Sequence, residues 1–181
     1  VLFDSFLFPE FLIFKVVPYF FSCFSKMASI TPFKISISDE KINRLQQKLA
    51  LTDLPSEMPD LKDPYSRGVP LSEIKRLALY WQHKFDWRAI EAKINEIPQY
   101  IANIAVEGFG TYDIHFAHQR SQVSNAIPLL ALHGWPSSFL AVQPMLPLLI
   151  DGGVDEPAFH VVAPSLIDFG FSSASKKVSI F

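Results

Sequence analysis

Hydrophobic positions recur along this chain with two different periods. Between Ile30 and Ser38, Phe33, Ile35 and Ile37 alternate with polar neighbours, which predicts a short extended segment. Ser38 then reads as an N-cap, with Asp39 and Glu40 placed to complement the helix dipole. Ile42, Leu45 and Leu49 follow on one helical face, and Pro55 and Pro59 end the helix. Leu51 to Pro70 is rich in Pro and Asp and reads as loop. A second helix starts near Leu71, with Leu71, Ile74, Leu77 and Trp81 on one stripe. A third begins after Asp86, carries Ile90, Ile94 and Ile97, and stops at Pro98. Trp81, Phe85 and Trp87 read as core residues.

From Tyr100 the pattern becomes strand-like. Tyr100 to Glu107 and Tyr112 to Gln119 flank Gly108-Phe109-Gly110-Thr111, a hairpin signal. Ala126 to Leu132 is almost wholly apolar and suits a strand buried on both faces, as in a parallel sheet. Ser138 to Ile150 reads as a helix disturbed by Pro144 and Pro147 and ended by Asp151-Gly152-Gly153. Phe159 to Ala163 is a further strand, closed by Pro164. The order strand, strand, strand, helix, strand implies a mixed sheet with a parallel part, an α/β architecture.

Composition narrows the function classes. A chain of 181 residues is one domain, or one and a piece, and 49% apolar content supports a large core. There is no Lys/Arg run or basic stripe, which argues against nucleic acid. Cys23 is the only cysteine, so an intrachain disulfide and a multi-cysteine metal site are excluded. Eight of the 17 Phe lie in residues 1–26. That stretch has no basic n-region, and Pro18 interrupts its longest uncharged run. It reads as translated leader sequence or a gene-model artefact ahead of Met27. The alternative is a membrane anchor, and membrane association is expected only if residues 1–26 are genuine. The corresponding locations are cytoplasmic or membrane-peripheral.

The chemistry concentrates at His133-Gly134-Trp135-Pro136, where the apolar run meets a turn. Gly134 permits a tight turn or a close backbone approach. Pro136 has no N–H and biases Trp135 towards an extended conformation. The Trp135 N–H is therefore free to face a cleft, as an oxyanion-hole donor must. An ordinary strand-to-helix turn accounts for the same four residues. His133 is expected to fix this loop by hydrogen bonding, with direct substrate contact as the alternative. His115 and His118, three apart on a strand, face opposite sides and make a poor metal pair, so structural roles are expected. His160 has no acid or Ser partner at motif spacing. Asp168 reads as a solvated turn residue. No metal or organic cofactor is expected.

With Ala163-Pro164-Ser165-Leu166-Ile167-Asp168-Phe169-Gly170-Phe171-Ser172-Ser173, the His133–Pro136 tetrapeptide resembles the microsomal-type epoxide hydrolase family, on the α/β-hydrolase fold. In that family His-Gly-x-Pro follows the third strand, and Pro-x-Leu-Pro-Gly-Phe-Gly-Phe-Ser follows the fourth. The likeness extends through Phe33 to Pro55, Gly68-Val69-Pro70-Leu71, Tyr80-Trp81, Asp86-Trp87-Arg88-Ala89, Pro98-Gln99-Tyr100 and Ile114 to Ser121. It covers about residues 30–181. Where family members have Pro-Gly, this chain has Ile167-Asp168, which leaves the form of that turn open.

The resemblance implies residues 27–99 as a helical N-terminal wrapper and residues 100–181 as the start of an incomplete α/β-hydrolase sheet of about four strands. It implies opening of a small-molecule epoxide by an Asp carboxylate, then cleavage of the ester by a His-activated water, giving a vicinal diol. Detoxification and aromatic compound catabolism are the matching roles. Trp135 supplies one oxyanion donor through its backbone N–H, and His133, Gly134 and Pro136 line the active site. Neither Gly-x-Asp-x-Gly nor Gly-x-Ser-x-Gly occurs in these 181 residues, so the chain alone is expected to be inactive. A non-catalytic remnant or binding fragment, and a piece of another α/β-hydrolase such as a haloalkane dehalogenase or esterase, are the alternatives. Without a neighbouring strand, Ala126 to Leu132 would be an exposed apolar edge. Poor solubility or loss of order after Val162 is expected in consequence.

Overall fold

The computed structural model describes residues 29–57, 62–153 and 156–175. The Phe-rich stretch and Pro59 lie outside them. The chain divides into two compact units, residues 35–96 and a second containing residues 29–34 with the chain from 97 onwards.

The first unit is helical. Helix α1 (Asp39–Ala50) is capped by Ser38, whose Oγ accepts the Lys41 N–H at 3.4 Å. It ends at Ala50, ahead of Pro55, with Leu51 as its C-cap. Helix α2 (Leu71–His83) carries the expected stripe, but Trp81 on that stripe is 46% exposed and is not a core residue. Helix α3 (Trp87–Ile94) is capped by Asp86 and stops before Ile97, at Asn95. The reason lies in Asn95 itself. Its Oδ1 accepts the Ile35 N–H at 2.8 Å and its Nδ2 donates to the Ile35 carbonyl at 2.9 Å. Glu91, one turn earlier, accepts the Ile37 N–H at 2.7 Å and the Trp87 indole N–H at 3.1 Å. One face of α3 thus satisfies the backbone of the extended segment 35–37 with side chains. The Ile37 N–H, with Arg88 and Trp87 adding to it, holds the Glu91 carboxyl below its ordinary range. Arg88 bridges Glu91 at 2.7 Å and also pairs with Asp39.

The second unit is a five-stranded mixed sheet in the order β1-β2-β3-β5-β4. Its strands are β1 (Ile30–Phe33), β2 (Gln99–Val106), β3 (Gly110–Gln119), β4 (Ile127–Leu130) and β5 (Phe159–Pro164). The count is one above expectation because Ile30–Phe33 pairs antiparallel with β2. The β2–β3 hairpin turns at Glu107-Gly108-Phe109, and Gly108 at φ 77° and Gly110 at φ 97° supply conformations other residues resist. Strand β3 pairs antiparallel with β5, and β5 pairs parallel with β4. The β4–β5 crossover is not one helix from Ser138 to Ile150. A 3₁₀ helix (Phe139–Met145) precedes α4 (Leu146–Asp151), since Pro144 lacks an N–H and crowds the turn before it. Gly152, at φ 64°, ends α4.

Strand β4 is the exposed apolar edge expected where no further strand flanks it, but it is shorter than the run Ala126 to Leu132 and less buried than that run's composition suggests. It spans four residues at the edge of the sheet, and Ile127 and Leu130 are 48% and 45% exposed, so it is not buried on both faces. Pairing on one side only accounts for this. Beyond Val162, β5 runs to Pro164, and hydrogen-bonded turns follow as far as Ser175.

Candidate active site

The ends of β4 and β5 lie side by side because the two strands are parallel and paired. The turn after β4 carries His133-Gly134-Trp135-Pro136. Ser137 N–H closes it onto the Gly134 carbonyl at 3.0 Å, around a cis Trp135–Pro136 peptide. Trp135 is outside any helix, its residue is 83% exposed, and among the described residues its N–H has no acceptor. Gly134 is not in a left-handed conformation, and a Cβ there would meet nothing within 4 Å. No close approach among the described residues therefore calls for glycine at this position. Pro136 is exposed beside it.

His133 is the buried member of the four. Its Nδ1 lies 3.1 Å from the Gly134 carbonyl, and its Nε2 lies 3.1 Å from the Leu166 backbone nitrogen. A peptide N–H can only donate, so Nε2 accepts and Nδ1 carries the proton. The ring is thereby a neutral imidazole of one defined tautomer, and it stands edge-on to Phe169, with centroids 5.1 Å apart. This ring joins the turn after β4 to the turn after β5.

The second turn is built by Leu166-Ile167-Asp168-Phe169, where the Phe169 N–H reaches the Leu166 carbonyl at 2.9 Å. Asp168 sits third, at φ 70°, the place a type II turn reserves for Gly or Asn. Its Oδ1 accepts the Ser175 N–H at 2.7 Å. The exposed carboxylate serves the turn. Gly170 follows at φ 54°, and a Cβ there would come within 2.5 Å of Ser165 Oγ. That glycine is required on both counts.

Beneath this turn lies a polar cluster that motif reasoning did not assemble. His115 is fully buried, with Nε2 3.0 Å from Gln99 Oε1 and Nδ1 2.9 Å from Ser165 Oγ. Gln99 turns its own Nε2 towards the Ile97 carbonyl, so its oxygen accepts from His115 Nε2–H. The Ser165 hydroxyl then donates to Nδ1. Phe33, Phe139 and Phe171 pack edge-on around the ring at 4.7–5.3 Å. Burial among them pushes the His115 pKa down to about 4. Ser172 accepts the His115 N–H at 3.0 Å and donates to the Ser165 carbonyl at 2.6 Å. The Ser172-Ser173 pair was the available clue, since neighbouring hydroxyls in a Phe-rich segment need buried partners. His118 is half-buried near Tyr100. Burial, then Arg120 and His160, hold its pKa below the ordinary value. His160 accepts the Ser121 N–H at 3.1 Å, a structural contact. No group of three metal-ligating side chains occurs among the described residues.

Comparison with known proteins identifies the family. The family model described as epoxide hydrolase N terminus matches residues 30–142. Epoxide hydrolase 1 of Sus scrofa is 38% identical over 157 residues, which is 82% of this chain and 33% of that protein. Juvenile hormone epoxide hydrolase 2 of Ctenocephalides felis is 33% identical over 153 residues, covering 82% and 31%. The solved structure of Aspergillus niger epoxide hydrolase superimposes with a TM-score of 0.68 at 32% identity, over 84% of this chain and 39% of that one. The chain thus spans about a third of the length of these curated relatives. With the family model covering most of its length and the α/β-hydrolase sheet in place, the chain belongs to the epoxide hydrolase family.

Proposed function

We propose that this chain is the N-terminal part of a hydrolase that converts small-molecule epoxides to vicinal diols, and that it contributes the Trp135 N–H to the oxyanion hole. One observation carries the reading. The Trp135 amide stands in the turn after a parallel strand, outside any helix and without an acceptor among the described residues, while His133 ties that turn to the one after β5. In the reaction, a carboxylate oxygen attacks an epoxide carbon. The C–O bond of the ring breaks, and the released oxygen takes a proton. Water then adds to the ester carbonyl, placing negative charge on the carbonyl oxygen, and collapse returns the carboxylate and the diol. An N–H aimed at that oxygen is stronger in the transition state than in the ester, which is how it accelerates the second step.

Residues 1–181 hold no nucleophile elbow, so the chain by itself performs neither step. His133, Gly134 and Pro136 shape the turn, with no metal or organic cofactor in the chemistry. Attachment to a membrane would rest on residues 1–26, since no described helix is long and apolar enough to cross one.

A chimera tests this. Residues 30–175 replace the matching part of the Aspergillus niger enzyme, and diol formation from styrene oxide is followed. The chimera turns the epoxide over and residues 1–181 alone do not. A folded chimera that forms no diol, or turnover by the isolated chain, overturns the proposal.

A further inference from the structure

We propose that His115, buried beneath the sheet end and unused by the chemistry, is a positioning residue for the turn that presents the Trp135 amide. The physical path is short and continuous. Gln99 on β2 orients the His115 ring on β3, and the ring's Nδ1 accepts the Ser165 hydroxyl at 2.9 Å. The Ser165 N–H donates to the His115 carbonyl at 2.8 Å, so the backbone and the side chain of one residue are both held by the same partner. The next amide in the chain, Leu166 N–H, is the donor that His133 Nε2 accepts. His133 in turn grips the Gly134 carbonyl, one residue before Trp135. The Trp135 turn is thus fastened through Leu166 to a residue pinned by His115.

Several features make this fastening rigid. Ser165 is 1% exposed, and Gly170 lies too close to it for any side chain at that position. Ser172 binds both His115 N–H and the Ser165 carbonyl, closing the cluster from the other side. The side chains that pack edge-on against or hydrogen-bond to the His115 ring, the phenyl groups of Phe33, Phe139 and Phe171, the Gln99 amide and the Ser165 hydroxyl, are all uncharged. A neutral imidazole is the form they accommodate: Nδ1 must accept, and a proton there would leave the hydroxyl without its acceptor. The neutral ring is therefore part of the device, and the order of the Trp135 turn depends on it.

The inference rests on the oxyanion reading for its purpose, but not for its test. The test is amide hydrogen exchange with imidazole ¹⁵N NMR on the 181-residue chain, on Ser165→Ala, and on His115→Phe, which keeps an aromatic ring in the site. In the wild-type chain, Leu166 and Ser165 amides exchange through one common opening and at matching rates. In both variants the Leu166 amide exchanges at least tenfold faster, while amides of the β2–β3 hairpin change less. The His133 ring nitrogens also move from the shifts of a single tautomer towards averaged values. A purely structural His115 would accelerate exchange uniformly and leave the His133 tautomer as it was, and that result overturns the proposal. So does a wild-type Leu166 amide exchanging tenfold faster than Ser165, a result that needs no variant to fold. Neither readout involves turnover, so failure here leaves the oxyanion reading standing, and a failed chimera leaves the fastening standing.

Discussion

His133 Nε2 accepts the backbone N–H of Leu166 across 33 positions of sequence, at 3.1 Å, and so locks together the turns that follow two neighbouring parallel strands. Replacing the ring leaves a partly buried amide without its acceptor. His133→Ala should cost about 1–3 kcal/mol of stability, the usual penalty for stranding a buried donor. His133→Gln, which offers an acceptor and a donor on one planar group, should recover part of it. Urea unfolding of the three proteins measures both effects.

Stability should depend on pH through His115. Its pKa is about 4 in the folded chain, against an ordinary value of 6.5. Above pH 6.5 neither state holds the proton, and the fold has its full stability. Between pH 6.5 and pH 4 the unfolded chain binds a proton that the folded chain refuses, so stability falls across that window and levels off below it. The total is on the order of 3 kcal/mol at 1.36 kcal/mol per pH unit. His118, also shifted down, adds a smaller slope of the same sign. Denaturant midpoints from pH 7 to pH 4 should show this decline, and His115→Phe should remove more than half of it.

The turn after β5 holds a residue that fits its conformation poorly. Asp168 has φ 70°, and Ile167 precedes it in the position where Pro is pre-shaped for a type II turn. Ile167→Pro with Asp168→Gly restores the Pro-Gly pair of the family motif. The double variant should gain about 1 kcal/mol, after allowing for the lost Asp168–Ser175 hydrogen bond. Thermal unfolding should register a rise of a few degrees.

Gly170 should tolerate nothing larger. A Cβ would sit 2.5 Å from Ser165 Oγ at a backbone angle that also disfavours side chains. Gly170→Ala should therefore destabilise by about 2 kcal/mol or more, combining overpacking with a disfavoured φ. The cost should shrink in a Ser165→Ala background, where the nearest atom is gone, and a double-mutant cycle measures that coupling.

Local physics made much of this molecule legible in advance. Ser38 and Asp86 announce their helices, and the two glycines of the β2–β3 turn place the hairpin to within a residue or two. What escaped is non-local. That Ile30–Phe33 joins the sheet depends on its pairing with β2, some 70 residues away, which periodicity cannot report. The apolar run at Ala126–Leu132 reads as buried on both faces from its composition alone, whereas its exposed edge position follows from there being no further strand among the described residues to flank it. His115 and Ser165 meet across 50 positions, and their partnership follows from the register of β3 on β5. His133 was the intermediate case: its motif suggested a loop-fixing hydrogen bond, but a backbone amide such as that of Leu166 leaves no mark on a sequence.

The central claim concerns one backbone N–H, and one atom can be changed to test it. In the chimera with the Aspergillus niger enzyme, tryptophan at position 135 is replaced by its α-hydroxy acid, which exchanges the amide N–H for an ester oxygen and keeps the side chain. Single-turnover kinetics then separate ring opening from ester hydrolysis. Loss of one oxyanion donor should slow hydrolysis by about 10²-fold or more, so the covalent ester accumulates while its formation is nearly unchanged. Equal rates for both steps with and without the N–H would contradict the account.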